Sequence, residues 1–293
     1  MTRPNTPRYI LVLVALCLGL TAIAAATSQR AAQPTDAPRA WATDSDWYGG
    51  KAEWALYDAT RVIYGQPRAY EATIFTNKQK MDPSSTTKAS GRGGVEVFKH
   101  NVSEVAPTEN YDYRFITTSF VRTDTLAPYK LVASTQEDCG ATYHRFVMDG
   151  NTVDAREYSY FPNEGEATSS YSAPRNLAFH DMLTLTLRNY PFDDPKTMSL
   201  DLIKDQSDTH AVSQKPNDAR VEYIGAERLT VPYGEIDTHH LRVTHARDGG
   251  TTSSDYWFAD DHRHVLVQYE GPYGVTYRLK RLEWWAYWGE PRP

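Results

Sequence analysis

The chain is poor in cysteine: Cys17 and Cys139 are the only two among 293 residues. A disulfide framework is thereby excluded, and an apolar core has to hold the fold. A basic stripe is also missing. Lys and Arg number 31 against 37 Asp and Glu, for a net charge of -6, which argues against a nucleic-acid partner. No Gly-x-Ser-x-Gly elbow, exact internal repeat or cofactor motif occurs, so no cofactor is expected. Beyond residue 26 there is no long hydrophobic run.

The one such run lies at the start. Arg3 and Arg8 precede Tyr9-Ile10-Leu11-Val12-Leu13-Val14-Ala15-Leu16-Cys17-Leu18-Gly19-Leu20, and Ala22-Ile23-Ala24 and Ala24-Ala25-Ala26 follow as small-residue exits. This order predicts a secretory signal peptide over residues 1–26 and a periplasmic or extracellular mature protein. Left uncleaved, the apolar stretch from Tyr9 to Ala26 would make a helix of roughly 27 Å and tether the chain to a membrane. Acylation of Cys17 is disfavoured, because Leu16 stands where a small residue is needed. Cleavage leaves Cys139 as the only thiol and moves the net charge from -6 to -8.

Residues 27–44 are an Ala/Pro/Thr/Gln stretch that reads as a flexible linker. Residues 45–293 are expected to form a single β-rich domain, or two fused lobes with a boundary near 165–195. The 20 tyrosines, 9 phenylalanines and 7 tryptophans suit pleated, half-buried surfaces.

Alternation is clearest near the C-terminus. Leu241, Val243 and His245 share one face, and a turn at Gly249-Gly250 would set Tyr256 and Phe258 opposite Val243 and Leu241. A second turn at Asp261-His262 then places Phe258 against Val265 and Tyr256 against Val267. The loop Gly271-Pro272-Tyr273-Gly274 brings Tyr277 and Leu279 against Val267 and Val265. Four strands sharing one apolar face predict an antiparallel meander. Further strands are expected at 51–64, 69–76, 95–105, 111–122, 128–136, 142–149, 152–161, 198–203, 209–213 and 220–229, with a polar loop at 78–94. Asn176 heads a run in which Phe179, Met182, Leu183 and Leu187 recur at helical spacing, so one helix is predicted there. Leu183-Thr184-Leu185-Thr186-Leu187 also alternates like a strand.

Two resemblances emerge from these segments. Gly50-Lys51-Ala52-Glu53, Arg61-Val62-Ile63-Tyr64-Gly65, Val97-Phe98-Lys99-His100-Asn101 and Ser134-Thr135-Gln136-Glu137-Asp138-Cys139-Gly140 resemble secreted bacterial proteins labelled septum formation inhibitor. The Ser-Pro-Arg-Arg opening of septum-inhibitor nucleotide pyrophosphatases is absent, so that activity does not carry over. From about Val221 to Trp285, Val231-Pro232-Tyr233-Gly234 and Tyr256-Trp257-Phe258 resemble a domain-of-unknown-function family of Gram-negative periplasmic β proteins. That resemblance implies a fold similar to the open barrels of lipoprotein carriers, and it brings no functional residue.

Candidate chemistry is sparse. Glu137 and Asp138 would raise the Cys139 pKa, the reverse of what a thiol nucleophile needs, so Cys139 reads as a small buried residue beside a turn. Asp237, His239, Asp260 and His262 come near one end of the meander as a conceivable divalent-cation set, against the plainer reading of solvated turn residues, and no metal is expected. His180-Asp181 with Ser169 or Ser172 lacks the nucleophile elbow of a triad. Asp193-Asp194 and Glu164 with Glu166 sit in loops where acids serve solubility. Trp284-Trp285-Ala286-Tyr287-Trp288 is either a surface for sugar, lipid or protein, or a plug for one end of a barrel.

The expected fold is mainly β, a large antiparallel, strongly curved or barrel-like sheet with one short helix. The expected function is a non-enzymatic binding or carrier protein of the cell envelope. An apolar or amphipathic ligand, lipid-like or glycan, would lie against Leu241, Tyr256, Phe258, Val267 and Tyr277. The alternatives are an assembly factor with an envelope protein partner and a packed interior, and a secreted hydrolase. An empty apolar cavity favours the first, a filled interior the second, and acids or histidines converging in a cleft the third.

Overall fold

The computed structural model describes residues 40–91, 93–211, 215–247 and 250–293. The segment expected to be a signal peptide, most of the 27–44 stretch expected to be a linker, and Gly249 lie outside the described residues. No helix among the described residues is long and apolar enough to cross a membrane.

Sixteen strands among the described residues form one curved, unclosed sheet. They are β1 (Ala52–Ile63), β2 (Gln66–Asp82), β3 (Thr87–Lys88), β4 (Val95–Pro107), β5 (Asp112–Arg122), β6 (Pro128–Glu137), β7 (Gly140–Asp149), β8 (Thr152–Ser159), β9 (Gly165–Ser172), β10 (Leu177–Phe179), β11 (Met198–Ile203), β12 (Asn217–Val231), β13 (Gly234–Arg247), β14 (Gly250–Ala259), β15 (Leu266–Glu270) and β16 (Thr276–Trp285). The chain enters at the middle of this sheet. From β1 it meanders outward to β9 at one edge, crosses to β10 at the other, and meanders back until β16 pairs with β1. The β10–β11 pair is parallel, and the other pairs are antiparallel.

The predicted face survives a change of register. Leu241 pairs with Tyr256, and Phe258 pairs with His239 and Leu266. Tyr269, not Val267, lies opposite both Tyr256 and Tyr277. Gly250 is already in β14 and pairs with Arg247, so every partner is offset by two from the predicted register. Because side chains alternate with period two, a shift of two leaves each on its original face. A register shift between Trp257 and Phe258 further offsets β15, and both Leu266 and Val267 are buried.

Other boundaries also differ. Strand β2 runs on through Lys78 and pairs with β4, while β3 occupies Thr87–Lys88, so the 78–94 loop begins later than expected. Residues 209–211 carry no strand. Strand β9, Gly165–Ser172, is almost wholly exposed and polar, which is why no apolar alternation announced it. Two short helices, not one, are present among the described residues. α1 spans Ala40–Thr43 and α2 spans Leu183–Thr186. Trp41 and Ala42 in α1 are buried, so residues at the end of the 27–44 stretch pack into the core.

Helix α2 is flanked by 3-10 turns at His180–Met182 and Leu187–Asn189. Asn176 does not cap this segment; its amide donates to the Ser199 carbonyl instead, and Leu177–Phe179 is extended. Leu183 and Leu187 join one core cluster, with Leu241, Tyr256, Phe258 and Tyr277, while Met182 and Leu185 join a second, with Phe98, Leu131 and Phe146. A short helical segment whose leucines point into two different core clusters is stable only when enclosed. It fills the trough of the sheet.

Polar bonds set its position. Arg188 donates to both carboxylate oxygens of Glu53 on β1 at 3.1 and 2.6 Å, with both residues almost fully buried. The His100 ring lies between Thr76, 2.8 Å from Nδ1, and Thr184, 2.9 Å from Nε2. Burial, then the nearby Arg188 charge, lowers the His100 pKa from 6.5 to about 3. His100 is therefore neutral in the fold, yet it takes up a proton below pH 6.5 when unfolded. Its contribution to stability is complete above about 6.5 and is lost as pH falls toward 3, with a slope of at most about 1.4 kcal/mol per pH unit. The variant His100→Gln should flatten that acid limb in urea titrations. An unaltered slope would place the effect on another group.

Candidate functional site

At the end of the sheet where β1 turns into β2, a cleft of about 620 Å³ is walled by Arg61–Tyr64, Tyr113 and Phe115 of β5, residues 204–211 and the loop before β16. Two left-handed turns shape its rim. Tyr64 and Gly65 have φ of 53° and 72° and close a two-residue hairpin between the paired Ile63 and Gln66, the geometry that favours Asn-Gly. Tyr273 has φ 60° and ψ 24°. A Cβ on Gly274 would come within 2.9 Å of a Val62 methyl, so the 272–274 turn packs directly on β1.

The floor is polar. Arg61 lies 4.0 Å over the Phe115 ring, donates to Glu104 at 3.0 Å and to the Ser207 carbonyl at 3.1 Å, and Tyr70 also donates to Glu104. Asp205 accepts from the Ser207 amide and hydroxyl at 2.9 and 2.7 Å. Asp181 accepts from the Thr117 hydroxyl at 3.2 Å and the Gln206 amide at 3.1 Å. Beside the cleft, a chamber of about 40 Å³ is bounded by Asp181, Asp205, Arg61, Glu104, His180 and three tyrosines, Tyr256, Tyr269 and Tyr277.

These groups divide their protons. Burial, then the Asp205 charge, holds the Asp181 carboxyl well above the usual carboxylate range. Burial also opposes ionisation of Asp205, but His180, Arg61 and the Ser207 donors outweigh it and keep that carboxyl below its ordinary value. Desolvation pushes His180 down. The two neighbouring carboxyls are thus driven apart, Asp181 toward its protonated form and Asp205 toward its carboxylate.

His180 does not build a hydrolytic triad. Its Nε2 lies 3.2 Å from Ser254 Oγ, but also 3.3 and 3.2 Å from the hydroxyls of Tyr256 and Tyr269. Ser254 is fully buried and lines neither cavity. The imidazole is a hub joining the helical segment to β14 and β15. Ser169 and Ser172, the serines considered from sequence, stand on edge strand β9.

None of the five residues proposed for the ligand face lines the large cleft. Leu241, Phe258 and Val267 are fully buried in the core shared with the helical segment. Tyr256 and Tyr277 border the small chamber. The four-residue cation set does not converge, and no group of three or more His, Cys, Asp or Glu suited to a metal exists among the described residues. Asp237 is held by Arg228 at 2.7 and 2.8 Å. His239 bonds Asp260 at 3.0 Å and stacks on Phe192.

Cys139 is exposed, contrary to expectation. It sits in the tight turn between β6 and β7, where no second layer covers it, with its sulfur 2.8 Å from the Tyr111 hydroxyl. Asp194 pairs with Lys196, and Glu164 with His210. Trp284 packs on Trp47 beside the second core cluster, whereas Trp288 is exposed.

Sequence reasoning passed over Tyr64, Tyr273 and Asp205. The available signal was a tyrosine directly before glycine in a two-residue turn, at a place where asparagine is usual. Arg61 and Tyr64 both belong to one of the motifs quoted for resemblance, as do Glu53 and His100, which meet the helical segment.

No curated protein and no solved structure matches the chain. A family model does, over residues 95–280, reaching much further toward the N-terminus than the 221–285 resemblance. That span covers β4 to β15 and half of β16, including the helical segment, the cleft residue Asp205, and Glu104 and Asp181 of the small chamber. The chain belongs to the family described as Protein of unknown function (DUF3108).

Proposed function

We propose that this chain is an exported binding or carrier protein of the cell envelope that holds an amphipathic small ligand in the cleft at the β1–β2 end. The observation that carries this reading is the cleft itself. Its volume of about 620 Å³ falls in the range of small-molecule sites, and its walls pair aromatic and aliphatic side chains with a few fixed polar groups. The signal-peptide pattern of residues 1–26 supports export. The ligand position differs from the apolar face inferred from sequence, because the helical segment already occupies that face.

A hydrolase is the second reading, favoured by the unequal carboxyls of Asp181 and Asp205. Asp205 also lines the large cleft, but Asp181 borders only the chamber of about 40 Å³, which has room for about one water and none for a substrate, so the two carboxyls do not converge on a ligand of the cleft and binding is the stronger reading.

Native mass spectrometry of the protein purified from its own host tests the proposal. Wild type should carry a small molecule that Ala211→Trp, a bulky change at an exposed wall position, fails to retain. Wild-type protein that carries no ligand, or a ligand retained equally by the blocked variant, would refute it.

A further inference from the structure

The rim of the cleft bears two largely exposed tyrosines. Tyr64 and Tyr273 are 69% and 63% exposed, and both hold left-handed backbone conformations, φ 53° and 60°. Bulky residues rarely adopt these angles, and glycine or asparagine would relieve the strain. Strained residues of this kind collect at ligand clamps. The Tyr64 hydroxyl is tied to Tyr111 at 3.0 Å and to Tyr113, so the ring is anchored by its tip while much of its surface stays open.

The charge balance narrows the ligand. Arg61 and Lys204 on the lining equal Asp205 and Asp208 in number; Arg61 is shared with Glu104, and Asp205 is held by two Ser207 donors. No concentration of one charge faces the cleft to favour a strongly anionic or cationic ligand. A long acyl chain fares no better, since the enclosed apolar face is packed and the cleft mixes polar with apolar walls. Arg61 also has a buried Nε that finds no protein acceptor. What suits this site is a neutral molecule with flat apolar faces and an edge of hydroxyls.

We infer that the cleft binds a neutral saccharide, with sugar rings stacked on Tyr64 and Tyr273 and hydroxyl groups bonded to the polar floor around Arg61, Asp205 and Ser207. Each pyranose ring offers a C–H face to an aromatic ring, and its hydroxyls can accept from the Arg61 guanidinium and donate to the Asp205 carboxylate. The inference rests on the cleft being a ligand site, and it adds the class of ligand.

The test is an array of neutral oligosaccharides (glucans, mannans, galactans and N-acetylglucosamine oligomers) followed by calorimetric titration of whichever is retained. Tyr273→Asn removes the ring while tolerating the left-handed backbone, and Tyr273→Phe keeps the ring. Wild type should retain at least one member, with affinity about 10-fold weaker in Tyr273→Asn and within about 3-fold of wild type in Tyr273→Phe. Ala211→Trp should abolish binding. An array with no retained member, or a retained one that Tyr273→Asn binds as well as wild type does, overturns the inference. If a phospholipid micelle binds instead and Ala211→Trp blocks it, the saccharide inference falls while the cleft remains a binding site. If neither probe binds and the host-purified protein carries nothing, both fall.

Discussion

Replacing Arg188 by methionine should destabilise the protein by about 3 to 5 kcal/mol, because Glu53 would be left buried and uncompensated. Arg188 and Glu53 are exposed to only 1% and 2%, and the two bonds between them join the helical segment to the central strand β1. The attraction in the native pair largely offsets the cost of taking two charges out of water, so the penalty appears when one partner is removed. Adding Glu53→Leu to Arg188→Met should therefore recover much of the loss. Urea unfolding of the two single variants and the double variant measures this. A loss below about 1 kcal/mol for Arg188→Met alone would show that the helical segment is not held by this pair.

Phe258→Ala should cost a similar amount, roughly 3 to 5 kcal/mol. The ring is fully buried, stacks parallel to Tyr256 with centroids 6.3 Å apart, and meets Phe192, which follows the helical segment. Had this face lined a ligand cavity, part of the ring would already lack neighbours and the loss would be smaller. Arg242 supplies the control from the opposite face of β13. It is exposed and bonds Asp255 at 2.9 Å, so Arg242→Ala should change stability by no more than about 0.5 kcal/mol. A tolerant Phe258 beside a strongly destabilised Arg242 variant would invert the face assignment, and thermal or urea unfolding decides between them.

Much of the sheet was legible because β alternation is a local signal. Strand β6 reads inward at Tyr129, Leu131, Ala133 and Thr135, and β11 runs over the residues its sequence predicts. The register of β13 against β14 was misjudged by two residues, since adjacent glycines allow the turn at more than one position. The helix was visible in Phe179, Met182, Leu183 and Leu187, but its start was not. Asn176 has the chemistry of a cap, and the distant Ser199 carbonyl takes its amide instead.

The candidate site was far less legible. Arg61 and Tyr64 stand some 120 residues ahead of Asp181, and Tyr273 more than 60 residues beyond Asp205. No short-range pattern links them. Cys139 illustrates the same limit: its neighbours in sequence suggested burial, yet whether a turn is covered depends on what crosses above it.

By itself the sequence determined the class of structure, the apolar face of the C-terminal meander and the absence of disulfide support, because each follows from composition or from the two-residue period of a strand. The tertiary structure decided what fills that face, which charges meet inside it and where a cleft remains. Those outcomes depend on contacts between residues far apart in the chain, chiefly the crossing from β9 to β10, which lays the helical segment into the trough, while a cleft is left at the end where β1 turns.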